Sequence, residues 1–86
     1  MVTQFIQEKV EDVVLDLLPV VNREDLTSDQ DIFSLGLDSI HAMTLVLNLQ
    51  QAFGITFEPA DIQFENFRTT ASMVSLIQTK TQSTMA

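Results

Sequence analysis

Between Asp38 and Gly54 lies the most apolar helical stretch of the chain, and the way it begins constrains what can surround it. Ser39 to Phe53 contains no Asp, Glu, Lys or Arg; as a helix it would be roughly 22 Å long at 1.5 Å per residue. Ile40, Met43, Val46, Leu47, Leu49 and Phe53 recur at a spacing that makes a wide apolar face. His41, Thr44, Asn48 and Gln51 fall at i, i+3, i+7 and i+10, which places them on one exposed stripe without a carboxylate. Upstream, Gly36 lets the backbone turn, including at positive φ, and Asp38 is a good N-cap. Gly54 suits the C-cap. A helix this apolar is stable only if other elements cover its face.

The remaining residues supply those elements. Val2, Ile6, Val10, Val13, Val14, Leu17 and Leu18 predict a first helix over 3–18, with Thr3 as N-cap and Pro19 as the stop. Gln7, Glu8, Glu11 and Asp12 fill its solvated face. A long connection over 19–37 shows few helical signals, and loops of that length in compact domains are usually tied down by their own side chains. Its expected anchors are Val20, Val21, Leu26, Ile32, Phe33, Leu35 and Leu37, with Asn22 capping a single turn through Leu26. Ile55-Thr56-Phe57 alternates like a strand but has no partner, so it reads as an extended link. Pro59 suits the start of a short third helix through Phe64, with Ile62 and Phe64 turned inward. Thr69 or Thr70 caps a fourth helix to about Thr79, carrying Met73, Val74, Leu76 and Ile77. Met43 and Met73 read as fillers of core gaps.

Eighty-six residues allow one domain, divided here into a folded unit over 1–80 and a flexible tail over 81–86. Twelve acids against four bases give a formal charge of −8, yet 45% of residues are hydrophobic. That is too apolar for a disordered acidic chain. The charge disfavours nucleic acid as a partner and suits a basic protein surface. Without cysteine, neither a disulfide nor a thiolate metal site can form. Asp29 and Asp31 begin a calcium-loop alternation, but Phe33, Ser34 and Ile40 occupy positions where oxygen ligands or glycine are needed. No run is long enough to span a bilayer and no secretory signal is visible. The expectation is a cytoplasmic, monomeric, all-α bundle: three longer helices, a short third helix and a long first loop.

Ser39 is the residue that invites chemistry. It falls on the first turn of the second helix, beside unpaired N–H groups whose field favours an attached or bound phosphate; Asp38 opposes part of that field. The plain alternative is a second capping residue. A catalytic role is disfavoured: Gly-x-Ser-x-Gly is absent, and the only histidine, His41, lies at i+2, where it does not face the serine. With no second histidine and no cysteine, a nucleophile–base pair cannot be assembled. If Ser39 takes part in chemistry, it does so as a substrate.

Asp31-Ile32-Phe33-Ser34-Leu35-Gly36-Leu37-Asp38-Ser39-Ile40 resembles the attachment motif of acyl and peptidyl carrier proteins. The resemblance continues through Met43, Leu45, Val46, Leu49 and Phe53, through Gly54-Ile55, and at Glu65-Asn66-Phe67-Arg68-Thr69. It implies that Ser39 is esterified with 4′-phosphopantetheine from coenzyme A, with Asp38 as the motif residue before it. The implied partners are a phosphopantetheinyl transferase, an acyl- or aminoacyl-loading enzyme, and a downstream synthase or acyltransferase. Leu35, Leu37, Ile40, His41, Met43 and Thr44 are the implied docking residues. The neutral second helix and the Glu65–Thr69 run resemble freestanding carriers of polyketide and nonribosomal peptide pathways more than those of fatty-acid synthesis. A helical interaction adaptor without a prosthetic group is the alternative from another class.

Overall fold

The computed structural model describes residues 2–85, with side chains from 5 to 81. Four α-helices form: α1 (Val2–Leu17), α2 (Ser39–Phe53), α3 (Phe64–Phe67) and α4 (Thr70–Met85), and no strand occurs among the described residues. The molecule measures 39 × 29 × 19 Å. Its thinnest dimension is about two helix diameters, so one apolar layer serves the whole fold. α1 packs against both α2 and α4, and α3 packs on α4. Val10, Val14, Leu45, Leu49, Met73 and Ile77 lie at the centre, fully buried. The all-α bundle with a long first loop is the expected architecture.

That loop is held by hydrogen bonds as well as by side chains. Ile32 N–H donates to the Arg68 carbonyl at 2.9 Å, and Ala71 N–H donates to the Ser28 carbonyl at 3.1 Å. Beside them, Arg68 Nε reaches Asp31 at 3.2 Å. The loop is thereby joined to the α3–α4 junction. Two single 3-10 turns shape it, Arg23–Asp25 and Ile32–Leu35. The first is preceded by Asn22, whose N–H donates to the Asp25 carboxylate. Leu26, Ile32 and Leu37 are buried as expected, whereas Val20 is 91% exposed and anchors nothing.

Several boundaries differ from the sequence reading. α1 begins at Val2, so Thr3 lies inside the helix rather than at its cap. The third helix is displaced. Pro59 does start a turn, but it closes after Asp61, whose carboxylate accepts from Glu58 N–H at 2.8 Å. A fresh start at Gln63 then gives α3. Consequently Ile62 and Phe64 are 51% and 55% exposed, and the core residues on either side are Phe57 and Phe67, in edge-to-face contact at 5.4 Å. Thr69 caps α4, its hydroxyl accepting from Ser72 N–H. The helix continues past Thr79 to Met85; Ala86 lies outside the described residues, as do the side chains of 82–85.

Candidate functional site

The loop and α2 meet at three residues, each in a distinct backbone state. Gly36 adopts φ 113°, ends the Ile32–Leu35 turn and reverses the chain. Leu37 then enters the core, 4% exposed. Asp38 stands in extended backbone as the N-cap of α2, Oδ1 accepting from His41 N–H at 2.8 Å. The same oxygen lies 2.8 Å from His41 Nδ1. These contacts, the backbone hydrogen bond foremost and the imidazole next, hold the Asp38 carboxyl below the usual carboxylate range. Ser39 follows as the first helical residue, exposed. Among the described residues its hydroxyl has no hydrogen-bond partner.

His41 therefore turns to Asp38 rather than standing unengaged on the helix surface. An acid three residues before a histidine at a helix start was the available signal. The histidine is committed to the cap, and the sequence argument that it does not serve Ser39 as a base stands beside that contact.

An apolar groove of about 370 Å³ opens beside Ser39. Met43, Val46 and Leu47 of α2 form one wall; Ile62 and Phe64 form the other. Phe33 from the loop stacks on Phe64 with centroids 4.7 Å apart. Met43 is 70% exposed, so it lines this groove rather than filling a core gap. Ile40 and Leu47 are 76% and 55% exposed. The wide apolar face expected for α2 is thus divided: Val46 and Leu49 are buried, joined by Leu45, which lay outside that face, while Ile40, Met43 and Leu47 are left open. The cause is length. α1 covers one side of α2, but the four-residue α3 is too short to cover the other.

Of the residues expected to meet partners, Ile40, His41 and Met43 are exposed, and Leu35 and Thr44 are half-buried. Leu37 is corrected: its side chain is in the core and offers no contact surface. The sequence reading missed Phe33, Leu47, Gln50, Ile62, Gln63 and Phe64 as groove residues. Only the position of the short helix would have revealed the last three.

Acids near this face are engaged within the molecule. Asp38 is held by the cap and His41, Asp61 pairs with Lys80 at 2.5 Å, and Glu65 lies 3.6 Å from Arg68. Lys80 is the leading cause that lowers the Asp61 pKa, and Asp61 in turn raises that of Lys80. Among the described residues no group of three His, Cys, Asp or Glu is placed to hold a metal, and no helix is long and apolar enough to cross a membrane.

A four-helix bundle that presents an unpartnered serine at a capped helix start defines a class, the carrier proteins. Residues 8–77 match the family described as "phosphopantetheine attachment site", and the chain belongs to that family. It is 38% identical over 60 residues to the D-alanyl carrier protein of Lactococcus lactis subsp. cremoris (strain MG1363), covering 69% of this chain and 73% of that one. With the D-alanyl carrier protein of Lactococcus lactis subsp. lactis (strain IL1403) it shares 33% over 73 residues, 78% and 90% of the two chains. It is 46% identical over 46 residues to the acyl carrier protein of Exiguobacterium sibiricum, covering 54% and 56%. Carrier proteins of this family bear a covalently attached 4′-phosphopantetheine group, carry substrates for other enzymes, and meet phosphopantetheinyl transferases and loading or synthase enzymes.

Proposed function

We propose that Ser39 carries the phosphopantetheine arm and that the protein holds an aminoacyl or acyl group on it as a thioester for separate enzymes. The observation that carries this reading is the exposed Ser39 hydroxyl, fixed on the first turn of α2 by Gly36 and the Asp38 cap. The local residues fit the group. The hydroxyl is open to a transferase, the first turn offers N–H groups toward a phosphodiester, and an apolar groove begins alongside. In loading, Ser39 Oγ forms a bond to the phosphorus that bears the pantetheine of coenzyme A. The bond from that phosphorus to the nucleotide breaks, and the serine proton passes to a base on the transferase. The arm supplies a terminal thiol; this chain supplies a rigid outward origin and surfaces for docking.

The reading extends to polyketide or nonribosomal peptide assembly, supported by an α2 without charged residues. A second reading follows from the relatives named as D-alanyl carriers: the cargo is a single D-alanyl group. The D-alanyl reading and the nonribosomal peptide branch of the first predict aminoacyl loading, whereas the polyketide branch predicts an acyl group. Co-expression with a broad-specificity phosphopantetheinyl transferase tests the attachment: one arm is gained, and peptide mapping places it on Ser39. Mass spectrometry of the protein from its own host, with cargo attached, then separates the two.

A further inference from the structure

Met1, Met43, Met73 and Met85 are the methionines of the chain, and the two whose side chains are described stand at opposite extremes. Met73 is fully buried, whereas Met43 is 70% exposed. Met43 follows Ser39 by four residues on α2, so the two side chains lie one above the other on one face, their Cβ atoms about 5–6 Å apart. A helical side chain leans toward the N-terminus of its helix, which carries the Met43 thioether back toward the serine. Both residues border the same apolar groove. The Ser39 hydroxyl has no hydrogen-bond partner among the described residues, and a thioether sulfur is only a weak acceptor. A strong acceptor placed on that sulfur would give the hydroxyl a partner one turn away.

We infer that Met43 is a site of reversible oxidation and that its sulfoxide restrains the loading of Ser39. The inference rests on Ser39 being the attachment residue. The oxidant is a peroxide: the sulfur takes one oxygen atom from hydrogen peroxide, an S–O bond forms as the O–O bond breaks, and water leaves. The sulfur is oxidised by two electrons and the peroxide is reduced by two. Return needs a methionine sulfoxide reductase, whose dithiol gives up two electrons and two protons, releases the oxygen as water and ends as a disulfide. Oxidation makes an apolar side chain polar. The new oxygen accepts from the Ser39 hydroxyl and turns its proton away from the base of a transferase. Ile40 and Leu47, both exposed, flank Met43 at i−3 and i+4, so an enzyme seated on this apolar surface must also strip water from the sulfoxide. Both effects oppose transfer. Neither reaches the core, because Met43 lies outside it and Met73, which lies inside, is closed to the oxidant.

The test treats the whole chain with hydrogen peroxide and removes the peroxide before coenzyme A and a phosphopantetheinyl transferase are added, so that neither is exposed to it. Peptide mapping follows each methionine, and intact mass follows arm transfer. The expected result is one oxygen on Met43 well before Met73, an unchanged thermal midpoint, and a kcat/KM for loading lowered by about three- to tenfold, the scale of one hydrogen bond made against water. The two epimer-specific methionine sulfoxide reductases should restore it. Met43→Leu, compared with its own untreated form, should load at one rate before and after peroxide, which separates Met43 from every other methionine. Met43→Gln, polar from the outset, should be slower than untreated wild type and no slower after treatment. Oxidation of Met43 no faster than Met73 would overturn the proposal. So would an undiminished rate with Met43 fully oxidised, an equal loss in Met43→Leu, or a treated protein that is unfolded at the assay temperature. No arm on untreated wild type would overturn the attachment reading and the switch with it, whereas an arm added at one rate before and after treatment would overturn the switch alone.

Discussion

Asp38 Oδ1 accepts two hydrogen bonds, from the backbone and from the ring of His41, so one carboxylate both starts α2 and orients the residue beside the serine. Asp38→Ala should lower the thermal midpoint, whereas Asp38→Asn, also a good cap, should recover most of the loss; circular dichroism melts check both. The His41 backbone and ring hold the Asp38 carboxyl, and Lys80 holds that of Asp61, below the usual carboxylate range. A depressed carboxyl contributes stability that is present above its unfolded pKa and lost as pH falls through the folded one. Stability should therefore hold from neutral pH to about 5 and decline below the ordinary carboxylate range near ~3.9. Urea titrations across pH 2–7 measure it. Lys80→Met should flatten part of the acid limb, because Lys80 is the leading cause of the Asp61 shift. An unchanged acid limb in that variant would contradict the pairing.

At the scale of elements, α2 and the loop before it are what the rest is built around. Leu49 is fully buried where α2 meets the core, so Leu49→Ala should cost about 2–5 kcal/mol, a large share of the ~5–15 kcal/mol typical of a domain. Asn48→Ala, half-buried on the same helix, should move the urea midpoint far less. At Gly36 an added Cβ would meet nothing within 4 Å, but φ is +113°. Gly36→Ala should therefore cost about 1–2 kcal/mol through backbone strain alone, with Leu37 and the Asp38 cap shifted and loading slowed. The ends of α2 were legible because local chemistry sets them: Asp38 begins it and Gly54, at φ 64°, ends it. Leu45 escaped the predicted α2 core face because periodicity locates an apolar stripe without saying which edge a neighbour will cover. Placing α3 failed for a related reason. Pro59 signals a start, but Asp61 closes that turn through Glu58 N–H, and the true helix is held by packing of Phe67. The placement of Ser39 on the first turn of α2 was legible from the motif; the groove was not, since Phe33, Ile62 and Phe64 come together only through the tertiary fold.

For the whole molecule, the four bases are each matched within it. Lys9 lies over the Phe5 and Phe53 rings at 5.5 and 5.1 Å. Arg23 pairs with Glu11 and Asp12, Arg68 with Asp31 and Glu65, and Lys80 with Asp61. The acid excess behind the −8 charge falls chiefly on α1 and the first loop, while the Ser39 face offers Ile40, Met43 and Leu47. Affinity for the loading enzyme should accordingly fall by no more than a few-fold between low and physiological salt, since apolar contacts are not screened. Gln51→Glu should weaken it. A salt series by calorimetry on wild type and variant checks this, and a steep loss in wild type would show that the acidic exterior steers docking. The central claim concerns one oxygen atom, and intact mass tests it most directly. Wild type and Ser39→Ala, each incubated with coenzyme A and a phosphopantetheinyl transferase, should differ completely: one phosphopantetheine gained by the first, none by the second, with superimposable circular dichroism spectra. An arm on the alanine variant, or none on wild type, would contradict the account.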